Sequence, residues 1–246
     1  MSAESTTSAP SPPALDSLSA VKNDTSALSQ SARRRLLRLP PPVDIERFRP
    51  LEGSVVHGVA RCITVARLIP RKGVSTLLRA WRPVIDRAAG SGIARELVIV
   101  GDGPLRARLE RTIHDLDLSH CARITGFLPR TNVIHQLQQA CVFALPVRTQ
   151  LAGLNPEGLG LASLEAAACG LPVIVGDSGG APETVRDGDT GFVVPSGDHR
   201  RLADRLNMLL DNPRLAQEMG ACGRRYVCAQ FSTESARAKL REALGV

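Results

Sequence analysis

From about residue 59 to the C-terminus, short continuous apolar runs alternate with longer stretches in which apolar residues recur every three or four positions. A short continuous run suits a strand buried on both faces, and the three-to-four spacing suits a helix with one apolar stripe. Strands are predicted at Cys62–Ala66, Leu97–Val100, Arg123–Thr125, Val142–Leu145, Val173–Val175 and Phe192–Val194. A helix is predicted over Val74–Ala89, where Leu77, Leu78, Trp81 and Ile85 fall at helical spacing. Further helices are predicted at Pro104–Leu116, Val133–Ala140, around Glu165, and at His199–Leu210, Pro213–Gln230 and Thr233–Leu244, with a single turn at Pro182–Val185. Residues 146–157 read as a long loop. Strands interleaved with helices imply an α/β fold: a Rossmann-like doubly wound parallel sheet of about six strands. Ligands of such sheets sit at the carboxyl ends of the strands. Arg67, Gly101-Asp102-Gly103, Gly126-Phe127, Arg148 to Glu157 and Gly176 to Gly180 all fall at those ends.

Composition narrows the function classes. The chain has 246 residues and is 43% hydrophobic, enough for a sizeable core. Residues 1–41 are rich in Ser, Ala, Thr and Pro and carry few large apolar groups, so they are expected to be disordered. They lack the apolar core of a signal peptide, and no run approaches the ~20 apolar residues of a membrane span. The run Arg33-Arg34-Arg35-Leu36-Leu37-Arg38 reads as a solvated basic segment, and Pro40-Pro41-Pro42 as a stiff extended lead-in to a domain over residues 42–246. The net charge is +7, and all but three of the 31 basic residues are Arg, which favours contacts to oxyanions. With five Phe, one Tyr and one Trp, stacking platforms for nucleic acid are not expected. The six cysteines form no C-x-x-C pair and the five histidines no cluster, so a reducing compartment and no protein-built metal site are expected.

The chemistry concentrates between Leu154 and Val175. Glu157 precedes a helix and Glu165 lies inside it; Gly158 and Gly160 leave the backbone bare where the helix begins. A helix start offers free N–H groups and the positive end of the macrodipole, which suits phosphate. Carboxylates accept hydrogen bonds from hydroxyl pairs. Phosphate and hydroxyls together describe a nucleotide sugar, although either Glu could equally be a dipole partner or a solvated surface group. Arg67 and Lys72 flank Leu68-Ile69-Pro70-Arg71 at a strand end, where two cations can hold a diphosphate without a metal or can simply form a basic loop of an Arg-rich chain. Gly101-Asp102-Gly103-Pro104 matches half of a dinucleotide fingerprint, but Arg106 stands where a third small residue belongs, which disfavours a hydride-transfer cofactor. Asp187-Gly188-Asp189 matches a metal-binding D-x-D only superficially, because Arg186-Asp187-Gly188-Asp189-Thr190-Gly191 is turn chemistry. Ser178-Gly179-Gly180 is either a bare approach to a sugar or a flexible turn.

Taken in order, these pieces resemble a family. The Arg67/Lys72 pair, Gly101-Asp102-Gly103-Pro104, Glu157-x7-Glu165, Gly170-Leu171-Pro172-Val173-Ile174 and Gly179-Gly180-Ala181-Pro182-Glu183-Thr184-Val185 look like the donor-binding half of the retaining GT-B glycosyltransferases of family GT4. Val43-Asp44-Ile45-Glu46-Arg47-Phe48-Arg49-Pro50 resembles that family's interdomain linker. The stretch from Arg148 through Gly153-Leu154 to Gly160 looks most like GDP-mannose-dependent mannosyltransferases of phosphatidylinositol mannoside synthesis. The resemblance implies hexose transfer with retention and no cofactor or metal, the donor being GDP-mannose or another nucleotide sugar. Arg67 and Lys72 would hold the diphosphate and, with Glu157 near the reacting carbon, form the catalytic set. Gly160 and Leu161 would meet phosphate through their backbone and Glu165 the ribose. Gly101 would line the donor pocket, and Gly126 and Phe127 would lie by the base. The partners implied are a nucleotide sugar and a lipid or glycan acceptor, and no nucleic acid. The family's N-terminal acceptor domain has no counterpart in the ~40 low-complexity residues at the start, so the chain is expected to be incomplete alone. The Thr233–Leu244 helix is then expected to have a poorly covered apolar face. Localisation is expected to be cytoplasmic, with peripheral contact at the inner membrane face. The alternatives are a non-catalytic nucleotide-binding or interaction module, and a protein resembling sugar-nucleotide epimerases.

Overall fold

A computed structural model of the protein describes residues 39–51, 58–90, 92–149 and 155–244. The basic run Arg33–Arg38, nearly all of the expected disordered segment, and Gly153-Leu154 lie outside the described residues. The elements run β1 (Val59–Val65), a 3-10 turn (Pro70–Lys72), α1 (Val74–Ala88), β2 (Ala94–Val100), α2 (Arg106–Asp115), β3 (Ala122–Gly126), α3 (Arg130–Gln138) and β4 (Val142–Leu145). They continue with α4 (Leu161–Ala168), β5 (Val173–Gly176), a second 3-10 turn (Ala181–Thr184), β6 (Gly191–Val194), α5 (His199–Asp211), α6 (Pro213–Phe231) and α7 (Thr233–Leu244). The six strands form one parallel sheet in the order β3-β2-β1-β4-β5-β6. This is the doubly wound arrangement predicted, and its order reverses between β1 and β4.

Two apolar layers cover the sheet. One contains Leu77, Trp81, Leu109 and Leu206 from α1, α2 and α5. The other contains Leu137, Leu164, Ala167 and Val227 from α3, α4 and α6, together with Val43 and Phe48 from the lead-in. The lead-in is pinned to the domain. Val43 N donates to Phe231 O at 2.7 Å, Gln138 Nε2 to Arg49 O at 2.8 Å, and Arg224 Nη1 to Phe48 O at 3.0 Å.

The strands β1 and β2 each begin three residues before their apolar runs. The extra register, Val59↔Ala94 through Arg61↔Glu96, includes a cross-strand ion pair from Arg61 Nε to Glu96 Oε2 at 2.7 Å. Glu96 also meets Arg123 of β3 at 2.9 Å, and pairs of this kind lengthen a ladder that hydrophobicity alone would end earlier. In α7 no residue is buried, and Leu240 and Leu244 are exposed, as expected of that helix. Among the described residues no helix is long and apolar enough to cross a membrane.

Glycines set how closely α6 approaches the loop after α4. A Cβ on Gly220 would lie 2.0 Å from Gly170 O, whereas one on Gly223 would meet nothing nearer than Ala167 Cβ at 3.6 Å. Alanine gains up to ~1 kcal/mol of helix propensity at either position. Gly223→Ala is therefore expected to be neutral or stabilising. Gly220→Ala is expected to cost about 1–3 kcal/mol, because backbone must move. Denaturant unfolding of the two variants checks this contrast.

Candidate functional site

The loops after β1 and β4 meet at the point where the strand order reverses. After β1, Leu68 N donates to Asp102 O at 2.9 Å, so this loop also leans on the turn after β2. A Cβ on Gly101 would lie 2.0 Å from Ala66 O, which gives that turn a packing reason for its glycine. The 3-10 turn Pro70–Lys72 then faces the loop after β4. Arg148 N donates to Arg71 O at 2.9 Å and Arg148 Nε to Pro70 O at 2.9 Å. Arg71 reciprocates: its Nη1 donates to Asn155 Oδ1 at 2.8 Å and to Pro156 O at 3.1 Å.

This zipper presents Glu157 to Lys72. The carboxylate is only 7% exposed, and Lys72 Nζ donates to its Oε2 at 2.8 Å. Arg71 Nε lies 3.6 Å from the same oxygen. From below, the Ser178-Gly179-Gly180 turn supports the loop. Gly180 N donates to Glu157 O at 2.9 Å, and a Cβ on Gly179 or Gly180 would lie 1.8 Å from Glu157 O or 1.9 Å from Gly158 O respectively. That turn is neither a loose hinge nor bare backbone awaiting a sugar; its glycines are filled by the loop that carries Glu157.

The helix α4 begins at Gly160, whose left-handed φ of 84° suits glycine. No side chain caps this start, and no acidic residue lies in its first turn. Lys72, Glu157, Gly160 and Leu161 share one cavity of about 370 Å³, with Pro41, Leu145, Leu159 and Ala162 as the other walls. A cation, a buried carboxylate and an uncapped helix start thus converge on one space, which can take an anion flanked by hydroxyl groups.

The other predicted residues form the surroundings. Arg67 is exposed at the carboxyl end of β1 and has no ion-pair partner among the described residues. Gly101 and Gly126 are joined by a hydrogen bond from Gly101 N to Gly126 O at 2.9 Å, and Phe127 beside them is 84% exposed. None of these four, nor Glu165, lines the cavity. Glu165 lies one turn along α4 and pairs with Arg130 Nη2 at 3.0 Å; that guanidinium also sits 4.9 Å from the centre of the Phe48 ring. Burial pushes the Glu165 carboxyl above its ordinary range, and Arg130 partly offsets that shift. Sequence reading missed Arg71, Asn155 and Arg130 as parts of the site. Arg71, adjoining Lys72 in Pro70-Arg71-Lys72, and Asn155, two residues before Glu157, carried a local signal; Arg130 carried none.

The Asp187-Gly188-Asp189 segment is a turn. Gly188 N donates to Gly191 O at 2.9 Å and Asp187 Oδ1 accepts from Val193 N at 2.9 Å.

A family model described as glycosyl transferases group 1 matches residues 56–226. The chain belongs to the group 1 glycosyltransferases. It is 40% identical over 214 residues to the GDP-mannose-dependent alpha-(1-6)-phosphatidylinositol monomannoside mannosyltransferase of Mycobacterium tuberculosis, covering 84% of this chain and 54% of that protein. The solved structure of a mutant of S. aureus TarM superposes with a TM-score of 0.73 at 20% identity, over 90% of this chain and 43% of that one. The C-terminal domain of the group 1 protein LpcC from Francisella tularensis superposes with a TM-score of 0.67 at 20% identity, over 78% of this chain and 99% of that one. At these identities the two structures show the shared fold, one Rossmann-like half of the GT-B architecture. The chain spans about half the length of the curated relatives it matches.

The electrostatic setting of Glu165 has a measurable consequence. A carboxyl whose folded pKa is raised favours the folded state most below its unfolded pKa, about 4.3, and that favour is lost as pH rises through the folded value. Removing Arg130 raises the folded value further and deepens the loss. Arg130→Gln is therefore expected to be further below the parent at pH ~7 than at pH ~4, by a few tenths to about 1 kcal/mol, given the exposure of Arg130. The lost contact with Phe48 is common to both pH values. Denaturant unfolding at the two pH values, repeated on Glu165→Gln, checks that the pH-dependent part belongs to the pair.

Proposed function

We propose that this group 1 glycosyltransferase chain is the donor-binding half of a mannosyltransferase that uses GDP-mannose and transfers the sugar with retention to a lipid or glycan acceptor. The observation that carries the reading is the Lys72–Glu157 pair beside the uncapped start of α4, at the reversal of strand order. The choice of GDP-mannose rests on the ~40% identity to relatives named for that donor.

In this reading Arg67 and Lys72 hold the diphosphate and stabilise it as it leaves, with the charge met by side chains and no metal required. The backbone at Gly160 and Leu161 meets phosphate. Glu165 accepts hydrogen bonds from the ribose hydroxyls once Arg130 yields, and Gly101, Gly126 and Phe127 lie towards the base. Glu157 accepts hydrogen bonds from sugar hydroxyls near the anomeric carbon. The bond from that carbon to the diphosphate oxygen breaks, and the acceptor oxygen bonds to the carbon from the same face. The acceptor proton passes to the departing phosphate oxygen. The acceptor is assigned to a second domain or chain facing this cavity, and α7, with its uncovered Leu240 and Leu244, is a candidate contact. Peripheral association with the cytoplasmic face of a membrane accompanies a lipid acceptor.

Metal-free calorimetric titration with GDP, UDP and their mannose and glucose conjugates tests the reading. Saturable binding with GDP preferred is expected, and Lys72→Ala should weaken it by about 1.5–3 kcal/mol, roughly 10–100-fold. Glu165→Ala should weaken nucleotide binding as well. A folded chain that binds neither nucleotide would overturn the proposal.

A further inference from the structure

At the candidate site one ammonium faces two demands. Lys72 already neutralises Glu157 at 2.8 Å, and Glu157 is too buried to be neutralised by water. If the donor-binding reading is right, on which this inference rests, a diphosphate arrives at the same ammonium carrying further negative charge. Carboxylate and diphosphate repel each other, and Lys72, even with Arg67 sharing the diphosphate, cannot sit against both.

A second cation stands next to this pair. Arg71 Nε lies 3.6 Å from the same Glu157 oxygen, is buried, and has no hydrogen-bond partner among the described residues. A buried N–H without an acceptor is costly. The guanidinium cannot swing away to find one, because Nη1 is held by Asn155 Oδ1 and Pro156 O. A closer approach of about 0.7 Å would give the Nε–H an ordinary charge-assisted bond to the carboxylate. Arg148, on the facing loop, turns its Nε to Pro70 O instead.

We propose that Arg71 is a positioning residue that takes over the Glu157 carboxylate when the donor diphosphate draws Lys72 away. The exchange frees Lys72 for the diphosphate and keeps Glu157 ionised and oriented. It also leaves the Lys72–Arg71–Glu157 cluster with one net positive charge, which suits an incoming diphosphate.

The test is calorimetric titration of the full chain with GDP and with GMP, which lacks the second phosphate. Arg71→Gln is expected to weaken GDP binding about tenfold and GMP binding less than threefold, a loss typical of one charge-assisted contact. Adding Glu157→Gln to Arg71→Gln removes the stranded carboxylate and should restore GDP affinity to within about threefold of the parent chain. The charge-conserving Arg71→Lys should also stay within about threefold for GDP, and it serves as the second variant if Arg71→Gln fails to fold. Equal losses for GDP and GMP with no rescue by Glu157→Gln would mean that Arg71 only props up the loop, and would overturn the exchange. So would unchanged GDP binding in Arg71→Gln, or a loss in Arg71→Lys as large as a neutral residue would give. If the parent chain binds neither GDP nor UDP, the donor reading falls and this inference falls with it.

Discussion

A carboxylate nearly closed off from water must find a cation, and the cation that Glu157 finds lies 85 residues earlier in the chain. Much of the site's architecture serves that one ion pair. Lys72 can reach Glu157 because β1 and β4 are neighbours, and the sheet order reverses between them. The two loops that leave those strands are laced by Arg148 and Arg71, each bonding to the other's loop. Under the pair, glycines remove every Cβ that would push the layers apart: Gly73 against Pro146 O, Gly176 against Val147 O, and Gly179 against Glu157 O, each with less than 2 Å to spare for a Cβ. Close packing of backbone on backbone fixes the described residues on either side of Glu157, and such packing can hold a buried charge at a fixed distance.

The two glutamates that the sequence places eight apart end in different electrostatic settings. Glu157 is held against two cations from another strand's loop. Glu165 is set one turn into α4, where burial opposes its charge and the half-exposed Arg130 partly offsets that burial. Between them lies the start of α4, which no side chain caps among the described residues. Lys72, Arg71 and Arg130 all rest against carboxylates of the site itself. An incoming anion with hydroxyl groups could exchange for those internal contacts rather than adding charge to a bare site.

Most elements were legible because their apolar runs are short, continuous and punctuated by Gly or Pro. The strand β4 and the helix α7 match their predicted limits at both ends, and the other strands differ by no more than three residues. The misses share a physical cause. The first residues of β1 and β2 are held by Arg61–Glu96 pairing across strands, which no single-strand pattern contains. The role of Gly179-Gly180 was ambiguous because a glycine pair looks the same whether it faces solvent or a second backbone. Arg130 gave no signal, since one arginine among many in an Arg-rich chain acquires meaning only from the Glu165 and Phe48 beside it.

By itself the sequence determined the alternation of elements, and hence a parallel sheet with its loops gathered at one end. It also determined which residue types stand on those loops, because periodicity and glycine placement are local properties of the chain. Only the tertiary structure decided which of those loops touch. It joined Lys72 to Glu157, left Arg67 exposed, gave Glu165 to Arg130, and brought a second, partly buried cation within 3.6 Å of the Glu157 carboxylate. Contacts between residues 35 to 85 positions apart follow from strand order and backbone approach, and neither is written in any one stretch of the chain.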